Sequence, residues 1–199
     1  MAQALSLRGV AFSALFAALV VVFGYVSIPL AFSPVPVTLQ TLAVLLAGGL
    51  LGARYGFFSM MLIIVLTALG MPLLQGKGGL STLLGPTGGY VIMWPFAAML
   101  IGFVVSKLRS NNTAAFLTIL LTMAFGSLLI FVTGVPWLAY AADLSFSKAL
   151  AGGFYPFIIG DALKAIAATV ITAAVRQVFP LERLTGHGHY AVRQQTVSK

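Results

Sequence analysis

Polar residues are rare in this chain, and they act as punctuation. Between them run apolar stretches at 10–28, 37–51, 57–70, 89–108, 114–138 and 154–179, bounded by Gly, Pro or basic residues. At about 1.5 Å per helical residue, roughly 20 residues cross the hydrocarbon core of a bilayer. The pattern therefore predicts six transmembrane helices. Stretches 37–51 and 57–70 are short for a crossing, so they must extend into their loops or stop part-way. Pro29 ends the first stretch, because proline cannot continue a helix. The next segment, PLAFSPVP at 29–36, carries three prolines and predicts a stiff, non-helical loop. Thr38 and Gln40 open the second helix, and GARYG at 52–56 turns the chain into the third. Segment 71–88 is a long glycine-rich loop ending in GPTGG. Residues 110–113 make a tight polar turn, and 140–153 a loop with Asp143 and Lys148. The first stretch has the basic and apolar regions of a signal peptide. No small-x-small cleavage site follows, so it reads as a retained helix. The expected organisation is one transmembrane domain, 1–180, and a polar tail, 181–199.

Composition decides the class. Of the 199 residues, 60% are hydrophobic and only 7% charged, and the mean hydropathy is +1.08. A soluble domain has about 25% charged residues, so this chain cannot cover a water-facing surface. It reads as an all-α integral membrane bundle in contact with membrane lipid. The net charge of +8 belongs to topology rather than to nucleic-acid binding, because the basic residues sit at the ends of apolar stretches. Six crossings put both termini on one side, with Arg8, Arg54, Lys107, Arg109, Arg176, Arg183, Arg193 and Lys199, eight of the 11 basic residues. The excess of Lys and Arg marks the cytoplasmic side, so both termini are expected in the cytoplasm. There are no cysteines, hence no disulfide framework.

The last stretch is the unusual one. Asp161 and Lys164 lie within it three residues apart. One charge at a bilayer centre costs about 2.5–3.5 kcal/mol, and intramembrane charges mark functional sites by default. Positions i and i+3 share a helix face, so the pair can face the bundle interior together and line a buried small-molecule site. The carboxylate accepts N–H donors, and the ammonium holds an anionic or carbonyl oxygen. In GPTGG the glycines allow close backbone approach to a ligand. Thr87 lies within this turn, and Tyr90 beyond it offers a ring and a hydroxyl. Ala14 and Ala18 form a small-xxx-small surface on the first helix. His187 and His189 in the tail lack a third ligand, so no metal site is expected. No catalytic set, cofactor motif or ATP-binding motif occurs, which leaves an enzyme without support.

Three runs then carry a resemblance: SPVPVTLQTLAVLLAGGLLGARYG (33–56), LLGPTGGYVI (83–92) and PFIIGDALKA (156–165). In this order and spacing they resemble the BioY family, the biotin-binding membrane subunits of energy-coupling factor (ECF) transporters. The resemblance covers about 10–178. It implies biotin bound from the outside, with Asp161 and Lys164 as its polar contacts. The proline loop with Thr38 and Gln40, and the turn with Thr87 and Tyr90, would supply lid and wall. QGKGG at 75–79 is more basic than the family's pattern, and Gln75 and Lys77 in it are candidates for the outer mouth on their own chemistry. Asp161 is expected near the ureido N–H groups, and Lys164 near the carboxylate or the ring carbonyl. Ala14 and Ala18 would dock the ECF transmembrane subunit, which works with two cytoplasmic ATPase subunits. The alternative function is a stand-alone biotin transporter driven by a proton gradient or by facilitated diffusion.

Overall fold

In the computed structural model, residues 6–108, 112–179 and 181 are described. Helix α1 spans Leu7–Tyr25, and Ser6 caps it by accepting the Gly9 N–H at 3.0 Å. A short hairpin follows, with strands β1 (Ser27–Leu30) and β2 (Ser33–Thr38). Next come α2 (Gln40–Ala68), the single turn α3 (Leu80–Leu83), α4 (Gly88–Ser106) and α5 (Thr113–Ala141). The chain ends in α6 (Phe146–Gly153), a 3-10 turn at Tyr155–Phe157 and α7 (Ile158–Val178). Among the described residues, five stretches are long and apolar enough to cross a membrane: Leu7–Tyr25, Gln40–Ala68, Gly88–Ser106, Thr113–Ala141 and Phe146–Val178. Each presents an apolar outer face. Leu15, Leu62, Phe103, Leu121 and Ile159 are all exposed, as a lipid-facing surface requires.

The count of five against the expected six arises within α2, and Gly52 explains it. Its backbone leaves the helix at φ 76° and ψ −179°, a conformation open to glycine. A Cβ on Gly56 would lie 3.1 Å from the Ala47 carbonyl oxygen and 3.2 Å from the Gly48 Cα. In a straight helix these residues would be about 13 Å apart. The chain therefore folds back on itself at Gly52, and α2 is two antiparallel arms, 40–51 and 53–68. The expected turn at 52–56 shrinks to one residue, and Arg54 sits on helix.

Two other boundaries move. Segment 29–36 is not an irregular loop: it belongs to a β-hairpin pairing Ser27 with Thr38, Ile28 with Val37 and Leu30 with Ser33. A two-stranded ribbon has only edge strands, where proline is tolerated. The last helix starts at Ile158 rather than 154, because Phe154 and the 3-10 turn break it from α6.

Small residues bring the helices together. Gly9 leaves room only for the Tyr55 ring, and Gly102 only for the backbone at Gly52 and Ala53. The Ser13 hydroxyl lies 2.9 Å from the Gly9 carbonyl and 3.2 Å from that of Tyr55, and Ser59 donates to the Ser13 carbonyl at 2.8 Å. These contacts gather the start of α1, the fold-back at Gly52 and the end of α4 at one end of the bundle. Arg176, near the end of α7, joins them. Its Nε donates to the Gly49 carbonyl and its Nη1 to the Val105 carbonyl, both at 2.7 Å. Both acceptors lie in last helical turns, where a cation is favoured by the helix dipole. The β-hairpin occupies the other end.

Candidate functional site

The hairpin end is built from three connections. In the hairpin, Val35 is buried while Ile28 and Phe32 are exposed. In segment 71–79, Leu74 and Lys77 exchange both backbone hydrogen bonds, at 3.1 and 3.0 Å. The two residues between them are left-handed, Gln75 at φ 55° and Gly76 at φ 76°. That geometry is natural for glycine and costly for glutamine. The GPTGG turn is the third connection, and it is sewn to α5. Trp137 Nε1 donates to the Gly85 carbonyl at 2.9 Å, and Thr133 Oγ1 to the Gly89 carbonyl at 2.7 Å. A Cβ on Gly89 would collide with Trp137, and one on Gly88 with the Leu83 carbonyl. The close approach these glycines permit is to α5 and to the chain itself.

Beneath these connections lies a cavity of about 120 Å³. Asp161, Lys164, Tyr90, Thr38, Gln40, Thr87, Gln75 and Lys77 all line it. The rest of its wall is largely apolar, with Val91, Trp94, Ile130, Phe131 and Phe157. Asp161 and Lys164 are 6% and 7% exposed, and Lys164 Nζ lies 2.7 Å from Asp161 Oδ1. The other carboxylate oxygen, Oδ2, accepts the Ser127 hydroxyl of α5 at 2.9 Å. Lys164 thus keeps donors, and Asp161 keeps lone pairs, for a further partner.

The remaining polar residues differ in what they have left to offer. The Tyr90 hydroxyl is already spent on the Gly153 carbonyl at 2.9 Å. Its ring fills the notch at Gly134 and meets Phe131 edge-on, with centroids 5.9 Å apart. Tyr90 is therefore a wall residue. Thr38 Oγ1 accepts the Gln40 N–H at 3.3 Å and lies 3.3 Å from Gln40 Oε1, while the Gln40 amide nitrogen packs toward Gly24 of α1. This pair ties the base of the hairpin to two helices. Lys77 is exposed at the mouth. Ala14 and Ala18 are exposed on α1, and Ala14 borders an apolar groove walled by Tyr55, Phe58, Met61, Leu62 and Val65. His187 and His189 lie outside the described residues, as do Arg109, Arg183, Arg193 and Lys199. Among the described residues no cluster of metal-ligating side chains occurs.

Sequence reasoning missed Ser127 and the aromatic wall of Trp94, Phe131 and Phe157. Nothing local marks the aromatics in a chain with 15 phenylalanines. Ser127 is a small polar residue inside an apolar helix, a weak signal that gains meaning only opposite Asp161.

The model of the BioY family matches residues 1–181. The chain belongs to the BioY family. Its relatives include the biotin transporter BioY of Rhizobium etli, 36% identical over 183 residues, which cover 89% of this chain and 97% of that protein. The probable biotin transporter BioY of Pyrococcus horikoshii is 39% identical over 165 residues, covering 82% of this chain and 93% of that protein. Among solved structures, the chain is similar to the 2.1 Å crystal structure of the S-component for biotin from an ECF-type ABC transporter. The TM-score is 0.77 at 35% identity, covering 85% of this chain and 91% of that one. These are names of transport proteins, not of enzymes. This BioY family member is a multi-pass membrane protein.

Proposed function

We propose that the chain binds biotin from the outer side of the cytoplasmic membrane, as the substrate-specific subunit of an ATP-driven ECF transporter. The observation that carries this reading is the Asp161–Lys164 pair, held 2.7 Å apart in the wall of a largely apolar cavity. An acceptor and a donor side by side match the neighbouring N–H and carbonyl of a ureido ring. Because the two groups adjoin, Lys164 belongs with the ring carbonyl. The ligand carboxylate, at the far end of the molecule, belongs near the mouth with Gln75 and Lys77. The apolar wall takes the sulfur ring and the alkyl chain. The 120 Å³ cavity is smaller than the roughly 300–1,000 Å³ of ligand pockets. Loading therefore requires the cavity to widen.

The topology in this reading is six crossings with both termini in the cytoplasm, the arms 40–51 and 53–68 counting separately. The end holding Arg8, Arg54, Lys107 and Arg176 then faces inward, as the excess of basic residues on that side favours. The chain carries no nucleotide-binding motif, so energy comes from two ATPase subunits through an ECF transmembrane subunit docked on the Ala14–Ala18 face. Replacing both alanines by leucine should leave biotin affinity unchanged and abolish uptake. Normal uptake by that variant would remove α1 as the docking face.

The deciding test is labelled-biotin binding to the detergent-purified chain, beside Asp161→Asn. Tight binding by the wild type, lost in a folded Asp161→Asn variant, is the expected result. No binding by a monodisperse wild-type sample would overturn the assignment. Uptake that survives deletion of the ATPase subunits but collapses with an uncoupler would transfer it to a stand-alone, proton-driven transporter.

A further inference from the structure

Several hydroxyls inside the long helices are satisfied locally. Thr118, Thr122 and Thr169 donate to the carbonyl four residues back, at 2.8, 2.7 and 2.7 Å. This is the common arrangement for a mid-helix hydroxyl. Ser127 sits on the same helix as Thr118 and Thr122 and breaks the habit. Its hydroxyl reaches across to α7 and donates to Asp161 Oδ2 at 2.9 Å. A carboxylate is a stronger acceptor than a carbonyl, and Ser127, at 3% exposure, is sealed from water. It does not line the cavity, so it can influence a ligand only through Asp161.

The consequence is geometric. Lys164 holds Oδ1, one turn along the same helix. A carboxylate's terminal torsion is broad and soft, so one donor would let the group swing about that contact. A second donor, from a different helix and on the other oxygen, fixes its plane. One acceptor position then remains on each oxygen, pre-aimed. We propose that Ser127 is a positioning residue for selectivity. By fixing the Asp161 carboxylate it favours ligands that present in-plane N–H donors beside a carbonyl, over ligands of similar size that lack one of those donors. This rests on the biotin-binding reading and names the residue that enforces its chemistry.

The test compares the purified wild type, Ser127→Ala and Ser127→Thr. Dissociation constants are measured for biotin and for biotin methylated on a ureido nitrogen. With the Asp161 carboxylate no longer fixed, Ser127→Ala should bind biotin about tenfold more weakly, a difference of about 1.4 kcal/mol. The methylated analogue should weaken much less, so the discrimination between the two falls. Ser127→Thr, which keeps the hydroxyl, should restore it. Unchanged discrimination in a folded Ser127→Ala would overturn the proposal, whether both ligands keep their affinity or weaken by one common factor. If the alanine variant does not fold, Ser127→Cys, similar in size and a weak donor, reads the same ratio. Absence of biotin binding by the wild type would instead overturn the biotin reading, and this proposal with it.

Discussion

Helix α7 carries two buried or half-buried cations, and they are used in opposite ways. Lys164, at the hairpin end, is held among the described residues by Asp161 and fronts a cavity. Arg176, about three turns further on, donates to carbonyls of two other helices. The Arg176 end is closed by tight contacts, with Gly48, Gly56 and Gly102 against backbone and Gly9 against the Tyr55 ring. The hairpin end has a void, a left-handed glutamine and a salt bridge with unused hydrogen-bonding capacity. One charge is spent on structure, and the other, in the proposed reading, is kept for a ligand. The comparison predicts that changes at the two ends separate affinity from stability.

The largest effect is expected at the pair. Asp161→Asn should weaken biotin binding by at least about 100-fold, since it also leaves the Lys164 charge uncompensated. Removing one partner of a buried pair costs roughly 3–5 kcal/mol, so the single variant should also melt well below the wild type. The double variant Asp161→Asn with Lys164→Gln removes both charges. It should recover most of that stability and none of the affinity, as read by thermal melting in detergent alongside labelled-biotin binding. A double variant that binds biotin would mean the pair serves packing rather than the ligand.

The second effect is its mirror image. Arg176→Ala removes two charge-assisted hydrogen bonds, each worth about 1.5–3 kcal/mol in a buried site. Arg176 is only half-buried, so about 2–3 kcal/mol in total is the expected loss of stability. Biotin affinity, measured well below the melting transition, should stay within about threefold of wild type. Loss of binding without loss of stability would dissolve the distinction between the two ends.

How much of this was legible in the sequence follows the same division. The Asp161–Lys164 pair was legible because charge inside an apolar helix is expensive and i, i+3 spacing allows only one face. The reversal near Gly52 was legible as a break in the apolar pattern, although it needed one glycine rather than five residues. The hairpin was not, because Pro29, Pro34 and Pro36 argue against strand pairing wherever a strand has two neighbours, and sequence does not reveal that this ribbon has only edges. Arg176 read as a topological charge. Its role depends on where two other helices end, which no local pattern contains. Ser127 fails for the same reason: its choice of Asp161 over its own helix is a tertiary event.

The smallest effect lies in the turn at the cavity mouth. Residues Leu74–Lys77 form a two-residue connection in which both central positions are left-handed. For such turns Asn-Gly is strongly preferred, because asparagine tolerates the left-handed region and glutamine does so poorly. The chain nevertheless has Gln75 before Gly76, at a conformational cost of order 1 kcal/mol. Asparagine would relieve part of this strain but withdraw the amide by one methylene from a cavity that Gln75 lines. Gln75→Asn should therefore raise stability by a few tenths of a kcal/mol, a fraction of that strain, and lower biotin affinity about threefold to fivefold. A variant that is more stable and binds equally well would show that the glutamine amide never reaches the ligand. The strain would then be incidental, and the recognition of the ligand's carboxylate would rest on Lys77 alone.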